Sequence, residues 1–167
     1  SFRSTPLCTR AGQTGCVIAY VSFRADAPPP EISLFGRAVG PGHTVGCTNP
    51  AALGSDAATP LDSYWFAAST LPPAIAWSSQ GQPPAPFLRT RGLVSAACVN
   101  RGALGYLAVT VNADPADART DRIPGDVHLA GVLAPGWGLH LVDMNLAMGD
   151  LIRAVEAQRD AYLRRRR

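Results

Sequence analysis

Apolar and polar positions divide this chain into four blocks of different character. Residues 16–23 read C-V-I-A-Y-V-S-F, apolar almost throughout and rich in β-branched and aromatic side chains. Such a run, bounded by Gly15 and Asp26, predicts a strand buried on both faces. Residues 27–102 are broken by Pro28-Pro29-Pro30, Pro41-Gly42, Asn49-Pro50, Pro72-Pro73 and Pro83-Pro84. Proline removes an amide donor and clashes with the preceding turn, so no helix of more than about two turns is expected there. The short apolar pieces at 64–66, 74–77 and 93–99 predict short strands or turns within a long connection, and connections of that length usually form a lid or inserted cap.

The pattern turns regular again at 104–111, L-G-Y-L-A-V-T-V, which predicts a strand ending in Asn112-Ala113-Asp114-Pro115. A polar loop with a turn at Pro124-Gly125 leads to a second β-like piece at 126–133. The last block has helical period. Met144, Met148, Leu151, Val155 and Tyr162, with Leu146 and Ile152 beside them, form an apolar stripe opposite Asp150, Arg153, Glu156, Arg159 and Asp160. Asp143 suits the N-cap, and the stripe is expected to dock the helix on the sheet. The division is therefore a first strand region (1–26), a cap or lid insertion (27–102), the last strands with the terminal helix (103–163) and a tail of four arginines (164–167), all within one domain or part of one.

Composition narrows the class. The chain has 167 residues, 47% of them hydrophobic and only 16% charged, which excludes a disordered polymer. Its 16 glycines and 15 prolines imply long ordered loops. The formal charge of +3 comes from the terminal arginines, and the body is near neutral, so neither nucleic-acid binding nor membrane association is expected. No run of about 18 apolar residues is present. Four cysteines allow three pairings; with no C-x-x-C and only three histidines, disulfides are expected rather than zinc, paired Cys8–Cys16 and Cys47–Cys98 from what reads as loop sequence. That places the protein outside the cytosol, secreted or in the cell envelope. The opening S-F-R-S-T-P-L-C is no translation start, and an upstream segment is expected.

The order strand, acidic loop, strand, loop with histidine, terminal helix matters chemically. In α/β hydrolases the triad runs Ser, then Asp or Glu, then His, with the acid after one late strand and the histidine before the final helix. The fold class expected is thus α/β, the C-terminal part of an α/β-hydrolase-like sheet with a cap insertion and a C-terminal amphipathic helix. His140, in G-W-G-L-H-L-V-D, is the candidate general base, and Asp114 the carboxylate that orients it, with Asp117 and Asp121 as competitors. His128 reads as structural and His43 as an exposed loop residue. Trp65, Phe66 and Trp77 are candidate lid aromatics. No G-x-S-x-G is present; Ser78-Ser79-Gln80-Gly81 lacks a preceding strand, and Ser95 lacks the second glycine. Neither a cofactor motif nor a metal motif occurs, so no cofactor or metal is expected.

Three segments, G-Q-T-G-C-V-I-A-Y-V-S-F at 12–23, C-T-N-P at 47–50 and G-W-G-L-H-L-V-D-M-N-L at 136–146, together resemble a bacterial family designated a domain of unknown function and grouped with lipase-like α/β hydrolases. The resemblance covers most of this chain but only the later part of that family's domain. It implies an upstream half with the first strands and a G-H-S-Q-G-type elbow, and it assigns the base role to His140. The function expected is the acid and histidine of a Ser-Asp-His triad in a secreted esterase or lipase-like enzyme, inactive without its upstream half. The partners would be that N-terminal half and a lipid or ester substrate. The alternative is a non-catalytic secreted binding module in which His140 is structural.

Overall fold

The computed structural model describes residues 5–68 and 75–166. Pro72-Pro73, Ala74 of the 74–77 segment and Arg167 of the tail lie outside the described residues. The fold is mixed α/β. A four-stranded sheet holds β1 (Ser22–Arg24), β2 (Thr59–Phe66), β3 (Phe87–Arg101) and β4 (Leu104–Val111) in the order β1-β4-β3-β2. β1 runs parallel to β4, with Ser22 opposite Leu107, and β3 runs antiparallel to both β4 and β2. A separate hairpin pairs β5 (His128–Leu129) with β6 (Val132–Leu133). Two 3-10 turns, Pro135–Trp137 and His140–Val142, lead into α1 (Asp143–Leu146) and α2 (Met148–Arg164).

The strand at 104–111 stands where its β-branched pattern puts it. The region expected to form a cap is different in kind. It supplies β2 and β3, and β3, at 15 residues, lies between β4 and β2 in the middle of the sheet. Arg89, Arg91 and Gly92 interrupt its apolar alternation, and the β2–β3 register shifts between Pro60 and Asp62, so only the 93–99 part reads as a strand in the sequence. Conversely, the apolar run at 16–23 is strand only from Ser22, because the preceding stretch is tied to other loops, Cys8 and Val17 by a backbone bond and Ala19 to Thr48.

Both sheet faces are covered. The larger core gathers Leu61, Trp65, Trp77, Val94, Leu107 and Leu146, and the smaller, on the other face of β4, holds Val21, Phe23 and Tyr106. Each large apolar side chain so buried contributes about 2 kcal/mol. Trp65 and Trp77 stack at 5.5 Å inside the larger core and are core residues rather than lid aromatics, whereas Phe66 is exposed and pairs with Phe87.

Cys8–Cys16 and Cys47–Cys98 are the two disulfides. Cys98 lies on β3 opposite Leu107, not in a loop, so its bond staples the 47–50 segment to the centre of the sheet. By loop-closure entropy the longer link, 51 residues apart in sequence, stabilises by about 4 kcal/mol and the shorter by about 2.5 kcal/mol.

The terminal helices dock only in part through the expected stripe: Leu146 is buried in the larger core, but α2 is rotated so that its small-residue face, with Asp150, lies inward. Gly149, Asp150 and Ala154 are the buried residues of α2, while Ile152, Val155 and Tyr162, with Met144 of α1, stand about half exposed or more. The reason is the free edge of β2. Asp62 donates its amide to Asp150 Oδ2 at 2.9 Å, Tyr64 accepts from Asn145 Nδ2 at 2.9 Å, and the Ser63 hydroxyl donates to the Leu146 carbonyl at 2.6 Å. Edge amides and carbonyls need partners, and here Asp150, Asn145 and the Leu146 carbonyl supply them. Gly149 makes the approach feasible, since a Cβ there would come within 2.3 Å of the Asp62 carboxylate.

The same carboxylate anchors an ion network. Arg89 binds it in a fork at 2.7 and 2.6 Å, and Arg153 bridges it to Asp150 with two further contacts of 2.6 Å. The paired guanidinium of Arg89 holds Asp62 well below the usual carboxylate range, outweighing its burial.

Candidate functional site

His140 opens the 3-10 turn His140–Val142, which follows β6 and leads into the terminal helices beside β1. Two backbone bonds set its place: Leu139 donates to the Ser22 carbonyl at 2.8 Å, and the Ser22 amide donates to Asp143 Oδ1, also at 2.8 Å. Ser22 belongs to β1, so the segment 139–143 is moored on the sheet edge that β4 leaves free. Tyr20 adds a third tie, donating its hydroxyl to the Asp143 carbonyl at 3.0 Å. Gly138 has φ +53, and a Cβ there would sit 2.5 Å from the ring of the buried Phe23. Only glycine lets the chain turn at this point.

The other oxygen of Asp143, Oδ2, lies 2.6 Å from His140 Nδ1. Asp143 is therefore not an N-cap. Its own backbone is already helical, at φ −47 and ψ −49, because the chain enters the helix through the 3-10 turn starting at His140. Its carboxylate turns back by one turn instead, and the i, i+3 spacing brings acid and imidazole together. Burial raises the Asp143 pKa above the ordinary carboxylate value, against the opposing pull of Ser22 and His140. When ionised, Asp143 can only accept, so in a neutral ring the proton would sit on Nδ1 and Nε2 would be left as the acceptor. The His140 side chain is 40% exposed while that of Asp143 is 14% exposed. The Phe35 ring lies on the imidazole at 4.4 Å and the Trp137 ring lies 5.4 Å from Phe35. This is a histidine held in one tautomer on one side and open on the other.

Asp114, the acid read from the sequence, has a different environment. It is exposed in the loop after β4, and its Oδ1 accepts the amide of Ala116 at 2.9 Å, the bond of an Asx turn. Asp117 is tied to Arg119 through both oxygens, which lowers its pKa, and Asp121 is exposed. All three line one open cleft of about 470 Å³ together with Ser78 and Ser79. None of the three hydrogen-bonds to His140, whose carboxylate is Asp143. The H-x-x-D spacing at a helix start was the signal for that pair, and N-cap preference was a competing explanation of the same aspartate.

His43 is exposed, and His128 stands on β5, exposed, with Nδ1 3.3 Å from the carbonyl oxygen of Asp126. The Ser79 hydroxyl faces the Ala118 carbonyl at 3.5 Å, and Ser95 donates to Asn112 at 3.1 Å. Among the described residues no Ser, Thr or Cys side chain hydrogen-bonds to His140, no group of three or more His, Cys, Asp or Glu side chains is placed to hold a metal ion, and no helix is long and apolar enough to cross a membrane. Comparison with protein-family models, with curated proteins and with solved structures finds no match for the chain.

Proposed function

We propose that this chain carries the acid–base half of a secreted serine hydrolase acting on carboxylic esters, with His140 as general base and Asp143, in place of Asp114, as the carboxylate that orients it. The observation that carries the reading is the 2.6 Å contact between Nδ1 and a buried carboxylate, with the opposite edge of the ring left accessible. That arrangement suits a base which takes a hydroxyl proton at Nε2 and whose cation the carboxylate then stabilises. The resemblance to lipase-like α/β hydrolases points the same way. The nucleophilic serine would belong to a segment outside these 167 residues, the N-terminal half that the resemblance implies. The two disulfides agree with an exported protein.

One observation favours the alternative, a non-catalytic secreted binding module: no hydroxyl or thiol among the described residues is bonded to His140. The two readings separate in one experiment. The chain is produced alone and together with the polypeptide encoded directly upstream, and both are assayed on short-chain p-nitrophenyl esters. The hydrolase reading expects activity in the combination only, with a loss of about a thousandfold or more in His140→Ala and Asp143→Asn and none in Asp114→Asn. An inactive combination, or full activity in His140→Ala, leaves the binding module.

A further inference from the structure

We propose that Ser22 is a positioning residue for the His140–Asp143 pair, its amide and hydroxyl together clamping the Asp143 carboxylate so that the second oxygen is held on the imidazole. Its effect on ester hydrolysis rests on the hydrolase reading; its effect on the carboxylate does not. Ser22 interrupts the apolar run at 16–23. Val21 and Phe23 belong to the smaller core, so in the alternating strand Ser22 points to the opposite face. Its neighbour across to β4 is Leu107, a member of the larger core. Ser22 is wholly buried, and its hydroxyl has no hydrogen-bond partner among the described residues. An apolar side chain would suit that place better, since a hydroxyl taken out of water without a partner destabilises the fold.

Asp143 is the group that gives the hydroxyl a use. The Ser22 amide donates to Asp143 Oδ1 at 2.8 Å, and Asp143 Oδ2 lies 2.6 Å from His140 Nδ1. In a gauche rotamer Oγ lies on the same side of the residue as its amide, so one carboxylate can accept from both. Burial raises the Asp143 pKa, and the nearness of the Ser22 hydroxyl leads the influences that oppose it, followed by His140 and the Ser22 amide. The other ionisable groups about this carboxylate are His140 on its own turn and Tyr20, whose hydroxyl donates to the Asp143 carbonyl. Arg24 of β1 is engaged by Asp126, and Asp150 of α2 by Arg153. Ser22 is thus a neutral donor that steadies the ionised acid without adding a charge. When the imidazole takes a proton, the carboxylate must stay ionised and stay on Nδ1, and a donor pair on one strand residue serves both needs.

The experiment follows the Asp143 carboxyl carbon by NMR against pH in the parent chain, in Ser22→Ala and in Ser22→Thr. Ser22→Ala should raise the midpoint of the Asp143 titration by about one unit, because the ionised form loses a donor. Ser22→Thr keeps the hydroxyl and should titrate as the parent does. Thermal unfolding gives a second reading. A hydroxyl with nothing to serve would make Ser22→Ala the more stable chain. A hydroxyl serving the carboxylate makes Ser22→Ala less stable at pH 7, with Tm lower by about 3 °C. That difference should shrink as pH falls below the Asp143 midpoint, where the acid is protonated. A midpoint unchanged in Ser22→Ala, a midpoint displaced alike in both variants, or a gain of stability in Ser22→Ala at pH 7 overturns the proposal. In combination with the upstream polypeptide, Ser22→Ala should lower kcat on p-nitrophenyl esters about tenfold with KM unchanged. A displaced midpoint in a combination that hydrolyses no ester refutes the hydrolase reading alone, and hydrolysis with an unchanged midpoint refutes this proposal alone.

Discussion

Replacing Asp150 by alanine removes a carboxylate that by position in the sequence belongs to the solvent side of the helix, yet its side chain is only 5% exposed. Its loss strips the Asp62 amide of its partner on the buried edge of β2, at a cost of about 1–3 kcal/mol. The bond to Arg153 goes as well, worth about 1 kcal/mol or less because that arginine is half exposed. The carboxylate also stands in the first turn of α2, where negative charge stabilises by about 0.3–1 kcal/mol. Alanine's better helix propensity returns roughly 0.5 kcal/mol. The net expectation is a loss of about 3 kcal/mol, or a fall in Tm of about 6–12 °C for a chain of this size. Asp150→Asn retains an acceptor for the amide and should lose only about 1 kcal/mol. Val155→Ser, at a position 60% exposed, should stay within about 0.5 kcal/mol. Urea and thermal unfolding followed by circular dichroism, with the disulfides oxidised, measure all three. A larger loss for Val155→Ser than for Asp150→Ala would mean that the helix docks through its apolar stripe after all, and would refute the edge-sealing argument.

Two further outcomes follow from the site and its frame. Gly138→Ala meets a positive φ and the Phe23 ring at once, and should cost about 2 kcal/mol or more and displace the 139–143 segment, read as a change in the His140 imidazole NMR signals; unchanged signals and stability would contradict the close packing. Acid should destabilise the fold through Asp62. Its folded pKa lies below the unfolded value of about 3.9, so the stability it contributes is complete above that value and is lost progressively as pH falls from there through the folded pKa. Asp143, whose pKa is raised, has the opposite sign: its burial costs stability at neutral pH and that cost is relieved as pH falls. Urea unfolding at about pH 6 and pH 3 should show a smaller acid-induced loss in Asp62→Asn than in the parent chain, and an equal loss would remove Asp62 from the account.

Local chemistry alone determined a good part of this protein. The β-branched run of β4, the helical period after residue 143 and the presence of four cysteines without a metal motif are properties of neighbouring residues and of composition. Tertiary structure decided the rest. That β3 is a central strand depends on what its arginine-bearing, glycine-interrupted sequence pairs with, namely β2 and β4, both of which supply hydrogen bonds that periodicity does not register. That Asp150 and the small residues Gly149 and Ala154 face inward, and not the apolar stripe of α2, depends on an unpaired strand edge needing acceptors and donors, a demand set by residues more than 80 positions away. The partner of His140 was decided in the same way. Asp143 could have capped the helix or faced the imidazole, and the mooring of its other oxygen on the Ser22 amide, 121 residues distant, settled which. Hydrogen-bond demand at a buried edge is a property of the assembled sheet, and no window of the sequence contains it.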